Sequence, residues 1–253
     1  MSQVPAATRT LMVLRFLAAQ PDPVPLDRLA GALDLPRSTA YHLVNAMIEQ
    51  GFVTHIAEER RYCLGVAAFE VGIGYARQAP LQRIAHRPLA ALVDRIGHSA
   101  HLAVPHGRDV LYVLEERAPG RAPLVTDVGV RLPAHLTASG RAVLAALPAP
   151  QVRALYPDRQ AFALRHGTGP ASPSALRAVL IETRQRGHAT EDGDVTPGFS
   201  SVAAAVLDHT GHPVAGVAVT VENRVARPEP YADAVCRTAA LLTRWLGGSP
   251  SPR

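Results

Sequence analysis

Ser38, Tyr41, His42 and Asn45 recur at i, i+3, i+4 and i+7, so on a helix they share one face, and each can hydrogen-bond. Arg37 falls in the turn before them, while Ala40, Leu43, Val44, Met47 and Ile48 repeat at helical spacing on the opposite side. Such a helix can bury one face and offer the other to a nucleic acid groove. Arg37 and Asn45 suit base edges, since guanidinium pairs with guanine and carboxamide with adenine through two hydrogen bonds. Ser38, Thr39 and Tyr41 suit phosphate oxygens. Arg60 and Arg61, at a charged tip further on, would track the backbone or enter a minor groove, and Arg9 is another phosphate candidate. The competing use of this face is an ordinary solvated surface or a protein-association domain.

A second group of residues has different chemistry. Thr137 can cap a helix that opens with Ala138, Ser139 and Gly140, whose small side chains leave first-turn N–H groups approachable. That terminus could hold a carboxylate or simply be a capped helix packed on a sheet, and the residues leave both readings open. Catalytic patterns are incomplete: Gly198-Phe199-Ser200-Ser201 begins the G-x-S-x-G elbow, but Val202 replaces its last glycine. His98 and His101, like His209 and His212, have a spacing that metal pairs use, without a nearby Cys or a helix aligning them; solvated or turn histidines are expected instead. With no phosphate-binding glycine loop either, neither cofactor nor metal is expected, and an esterase-like or metal-dependent enzyme with an accessory winged helix is the alternative reading.

These residues need elements to hold them. A helix over Thr8–Ala19 with an apolar face of Leu11, Val13, Leu14 and Leu17 is stopped by the loop Gln20–Pro25. A second helix follows over Leu26–Leu33; Pro36 suits the opening turn of the third and Gly51 ends it. Phe52–Ile56 and Arg61–Leu64 read as strands around the tip Ala57–Arg60. Helix, helix-turn-helix, hairpin is the winged-helix order. Residues 66–79 read as a linking or dimerising helix, broken at Gln78-Ala79-Pro80 before another helix ending near Gly97. Beyond it lie two hairpins, His101–Val104 with Val110–Glu115 and Val202–Asp208 with Pro213–Glu222, mixed with helices at Thr137–Leu147, Ser172–Gly187 and Pro230–Leu246. That mixture predicts an α+β domain over 80–247, beside a DNA-binding domain over 1–65 and a frayed tail from Gly247, disordered over 248–253.

Composition sets the bounds. In 253 residues, 47% apolar and 19% charged, there is enough core for two domains. The net charge is +5, yet residues 1–77 hold seven arginines and seven acids, so DNA affinity would rest on placed arginines rather than on a basic cloud. Every basic residue other than histidine is arginine, which fits a GC-rich coding bias. Cys63 and Cys236 stand apart with no disulfide framework. No apolar run reaches membrane-span length, and the stretch Leu11–Ala19 is interrupted by Arg15 without a cleavage pattern, so a cytoplasmic location is expected.

From about Ala7 to Trp245 the chain resembles the IclR family of bacterial transcription regulators. Three blocks carry the likeness: the winged helix with LPRSTAYHLV, GFV and RRYCLG; LPAHLTASGRAVLAAL at Leu132–Leu147; and GHATEDGDVTPGFSSVAAAVLDHTGHPVAGVAVT at Gly187–Thr220. The resemblance implies a GAF-like effector domain, a dimer or dimer of dimers, double-stranded DNA with a palindromic operator, and control of catabolic operons by a small metabolite. It favours ligand contact at Ala138, Ser139 and Gly140 and adds Glu191, Ser201 and Thr220 as polar contacts, with Phe199, Val202 and Val217 as either contacts or core. Departures are His42, where the family often has Arg; Ser201, where it typically has Cys; and Ala218, where members that bind small keto acids carry a hydroxyl as they do at Thr220. The departures at Ser201 and Ala218 point away from a keto acid of pyruvate size and toward another small organic acid, aromatic acids included.

Overall fold

The computed structural model describes residues 4–78, 80–120 and 124–249, and of 75–78 and 80 the backbone only. The chain folds as two compact units, Met1–Ala79 and Pro80–Arg253.

In the first unit, α1 (Pro5–Ala18), α2 (Leu26–Ala32) and α3 (Arg37–Glu49) pack around Val13, Leu17, Leu29, Ala40, Val44 and Met47. Leu11 departs from the expected apolar face: it is 60% exposed, because the helix carries apolar residues around more than one side and the core takes Val13 and Leu17. Strands β2 (Val53–Ile56) and β3 (Arg61–Leu64) form the expected hairpin, with His55 opposite Tyr62. The end of the expected 20–25 loop adds a third strand, β1 (Val24–Pro25), which pairs Val24 with Tyr62 at the sheet edge, where a proline does no harm to the ladder. Gly51 ends α3 at a φ of 72°. A Cβ on Gly65 would lie 2.2 Å from Gly51 O, so this pair of glycines lets the chain turn tightly from the wing into α4 (Val66–Gln78), which runs through Gly72 and Gly74 without interruption.

In the second unit six antiparallel strands lie in the order β6-β5-β4-β9-β8-β7. They are β4 (Ala100–His106), β5 (Asp109–Glu116), β6 (Arg131–Pro133), β7 (Ala189–Asp192), β8 (Phe199–Leu207) and β9 (Pro213–Glu222). Helices α5 (Pro80–Ile96) and α9 (Ala232–Trp245) cover one face over Leu89, Leu92, Val202, Val217, Val235 and Leu242. On the other lie α6 (Ala138–Ala146), α7 (Ala149–Leu155) and α8 (Pro173–Arg186), with Leu144 and Tyr156 packed against Leu176 and Leu180. Helix α6 sits low on the sheet because the contact is made of small residues, Ala138 and Ala142 against Ala189, Ala203 and Ala218. A Cβ on Gly216 would come within 2.7 Å of Ser139 O, and one on Gly140 within 2.2 Å of Ala134 O. The end of the chain is better held than expected: Gly247 and Gly248 donate to Arg244 O and Thr243 O at 3.0 and 2.9 Å, closing α9. Residues 250–253 of the expected tail lie outside the described residues.

Candidate functional site

The first unit presents the polar face of α3. Ser38, Tyr41 and His42 are exposed, Thr39 and Asn45 half-buried, and Tyr41 meets His42 edge to face at 5.9 Å. Arg37 Nε lies 3.1 Å from Asp27 Oδ1, both side chains more than two-thirds exposed, a pair that water screens and a phosphate or base can displace. Arg60, exposed at the hairpin tip, adopts a φ of 53°. Arg61 is less free: its Nη1 donates to Pro23 O at 3.0 Å, and its Nε lies 3.8 Å from Glu59. Arg9 is exposed on α1.

The second unit holds a partly open cavity between the N-terminus of α6 and the sheet. Register builds its polar wall, because Glu191, Ser201 and Thr220 stand opposite one another on β7, β8 and β9. Ser201 Oγ donates to Glu191 Oε1 at 2.7 Å and lies 2.9 Å from Thr220 Oγ1, while Asp194 N–H donates to Glu191 Oε2 at 3.2 Å. Leu124, Val125, Val195, Phe199 and Ala218 supply apolar walls, and Thr137, Ala138 and Ser139 close the helix end. The space open to the centre of a water molecule is about 20 Å³, room for one or two waters.

Burial pushes the Glu191 carboxyl up to about 7, against the pull of the Ser201 hydrogen bond and of Arg141. Arg141 acts from behind this wall: its guanidinium donates to His135 O at 2.8 Å, to Thr190 O at 2.7 Å and to the buried Asp194 carboxylate. Tyr112, buried on β5, lines the cavity near Ser139 and Thr137, and burial raises its pKa. Ser139 Oγ is buried beside the Tyr112 hydroxyl but forms no hydrogen bond of good geometry.

The sequence-derived effector residues fall unevenly. Ala138, Ser139, Glu191, Ser201 and Thr220 all line the cavity. Gly140 does not: its N–H is donated to Thr137 Oγ1 at 3.0 Å, so it is not free for a ligand, and its missing side chain serves the contact with Ala134. Phe199 is a wall residue, whereas Val202 and Val217 are core. Tyr112, Thr126 and the 124–125 and 195–196 segments were not foreseen. His98 and His101 correct the expectation of solvated or turn histidines, being 4% and 0% exposed. His98 Nε2 meets Tyr231 OH at 3.1 Å. His101 Nε2 lies 2.9 Å from Thr126 Oγ1 and 3.5 Å from Glu115 Oε1, a carboxylate held down to about 2 by that histidine and by Arg117. His209 and His212 are exposed at the β8–β9 turn. Among the described residues no three of His, Cys, Asp and Glu group as metal ligands would.

A winged helix with an open polar recognition face, in one chain with an α+β unit that holds a cavity with one polar wall, defines a DNA-binding transcription regulator of the ligand-sensing kind. Comparison with known proteins gives its family. Residues 6–56 match the IclR helix-turn-helix domain, and residues 73–241 match the bacterial transcriptional regulator IclR C-terminal domain. The chain is 30% identical over 254 residues to the transcriptional repressor IclR of Escherichia coli K12, covering 97% of this chain and 91% of that one. It is 32% identical over 245 residues to the glycerol operon regulatory protein of Streptomyces coelicolor, covering 94% and 95%. An IclR homolog of Microbacterium hydrocarbonoxydans, crystallised with 4-hydroxybenzoate, shares the fold at a TM-score of 0.79 and 19% identity, over 95% of this chain and 98% of that one. This chain belongs to the IclR family, whose members regulate transcription rather than catalyse a reaction. Among the described residues no helix is long and apolar enough to cross a membrane.

Proposed function

We propose that this protein is a cytoplasmic regulator of a catabolic operon that binds a palindromic operator as a dimer or dimer of dimers and responds to a small organic acid, aromatic acids included. Arg37 and Asn45 read bases, Ser38, Thr39, Tyr41 and Arg9 hold phosphates, Arg60 and Arg61 track the backbone or enter a minor groove, and His42 adds a contact on the same face. Self-association is supported by apolar side chains left in water in the first unit: Leu11 and Met12 on α1 and Val66, Phe69 and Val71 on α4 are 41–71% exposed. A two-fold contact through them would set two recognition helices at a fixed spacing.

The observation that carries the effector reading is Ser139. Its hydroxyl is buried in the cavity wall with the Tyr112 hydroxyl as a polar neighbour and no well-formed hydrogen bond, beside first-turn N–H groups of Ala138 and Ser139 that have no acceptor within the helix. A carboxylate placed there satisfies all three donors at once. The 4-hydroxybenzoate bound by the Microbacterium homolog is an acid of this kind. With about 20 Å³ open, the walls must part to admit an acid of several heavy atoms. The ligand therefore prefers a wider state, and that difference in affinity is what lets it shift DNA binding.

The test is calorimetric titration of aliphatic and aromatic carboxylates into the full chain and into Ser139→Phe. Binding that requires the free carboxylate and disappears in Ser139→Phe supports this reading; an amide or ester that binds as tightly as its acid refutes it.

A further inference from the structure

The walls of this cavity carry a single charged side chain, and it is an acid. Its charge-bearing lining residue is Glu191; no arginine, lysine or histidine joins it among the described residues. Arg141, whose charge acts on Glu191, is turned to His135 O, Thr190 O and Asp194, and so is already matched. An anionic effector is consequently held by N–H and hydroxyl dipoles at the α6 end, with a carboxyl facing it from the sheet.

We propose that Glu191 determines specificity: it restricts the effector to acids with one carboxylate and a hydrogen-bond donor directed at Glu191, and it excludes dicarboxylates. This rests on the acid reading above. The α6 terminus can satisfy one carboxylate. A second would have to lie toward the Glu191–Ser201–Thr220 row, where Ser201 already donates to Glu191 and the described lining residues include no cation. Two carboxylates facing each other at this distance repel. A hydroxyl in the same place donates to Glu191 instead, and that bond strengthens when Glu191 is ionised.

Other groups around Glu191 do not reverse this balance. Tyr112 faces it from β5 as a neutral phenol, and Asp194 adds negative charge that Arg141 matches. On its other side Glu191 also borders an open cavity, where Arg141 and Arg227 are offset by Asp192 and Glu229. With the Glu191 carboxyl pushed up to about 7, discrimination against diacids sharpens as pH rises through neutrality.

The probes are matched pairs, glycolate with oxalate and 3-hydroxybenzoate with isophthalate, titrated into the full chain and into Glu191→Gln at pH 6 and pH 8. In the wild type the hydroxy acid of at least one pair binds tenfold or more tightly than its diacid, and the ratio widens from pH 6 to pH 8. In Glu191→Gln, whose amide can also donate to a carboxylate, the ratio falls to threefold or less and loses its pH dependence. A diacid that binds the wild type as well as its partner overturns the assignment while leaving the acid reading intact, as does a ratio unchanged in Glu191→Gln. If no acid of either kind binds at either pH, the acid reading falls and takes this assignment with it. Should Glu191→Gln fail to fold, the wild-type pH dependence decides, and a flat ratio counts against the proposal.

Discussion

Gly140→Ala and Gly72→Ala make the same chemical change and are expected to have opposite signs. At Gly140 a Cβ would lie 2.2 Å from Ala134 O and 2.3 Å from Ala134 Cα, backbone atoms that cannot rotate away. Comfortable contact needs about 3.5 Å, so α6 must retreat by roughly 1 Å from the segment that precedes it. Overpacking of this kind costs about 1–3 kcal/mol, and the better helix propensity of alanine returns about 1 kcal/mol. Because the clash is with backbone, the upper half of that range applies, and a net loss of about 1–2 kcal/mol should lower the melting temperature of the second unit by about 2–8 °C. At Gly72, inside α4, nothing lies within 4 Å of the added Cβ, so about 0.5–1 kcal/mol should be gained. Scanning calorimetry of the full chain measures both. Because the Gly140 N–H belongs to Thr137, Gly140→Ala removes no ligand donor, and any loss of ligand affinity in the folded protein should come only from the shift of α6. A Gly140→Ala protein as stable as wild type, or a Gly72→Ala protein that melts lower, would refute the packing argument.

Arg37→Ala should weaken binding to a selected duplex by about 1–3 kcal/mol and relax one base position; equal weakening on random DNA would make it a phosphate contact. Arg61→Ala should reduce affinity on all sequences and flatten the salt dependence, as seen by anisotropy over a salt series, and an unchanged slope would remove Arg61 from the backbone contacts. Arg141→Leu should cost about 3–5 kcal/mol in denaturant unfolding, since it leaves Asp194 buried and unpaired; a loss under about 1 kcal/mol would contradict that. Glu191 has a carboxyl pKa of about 7 in place of 4.5, so its protonated form favours the fold: that stability is present below pH 4.5, is lost as pH rises toward 7 and stays lost above it. Glu191→Gln should therefore gain on wild type across that window, by about 3 kcal/mol at most, and a difference independent of pH would show an ordinary carboxyl.

The recognition helix was legible because its two faces differ in chemistry at helical spacing, and the wing because Gly51 and the charged tip punctuate two β-rich runs. Strands β6 and β7, three and four residues long, gave too short a pattern to separate from loop. Within the cavity, Ala138 and Ser139 were readable from a capping pattern, and Glu191, Ser201 and Thr220 through resemblance. Gly140 looked like a ligand contact because sequence shows a small residue but not the Ala134 backbone against it. Tyr112 reads as one more core position of an alternating strand; its place by Ser139 depends on packing between distant segments. His101 looked solvated because its partner, Glu115, comes opposite it only through the β4–β5 register. Polar residues inside a core become visible from sequence when both partners are placed, and here strand register places them.

The most direct test titrates an acid that binds the full chain into a complex with a duplex selected from random DNA, following anisotropy for the wild type and Ser139→Phe. Coupling between the sites predicts that the acid changes wild-type DNA affinity by about 5-fold or more. Ser139→Phe should bind the duplex as well as wild type and ignore the acid. An acid that occupies the cavity of the wild type while its DNA affinity stays the same would contradict the account.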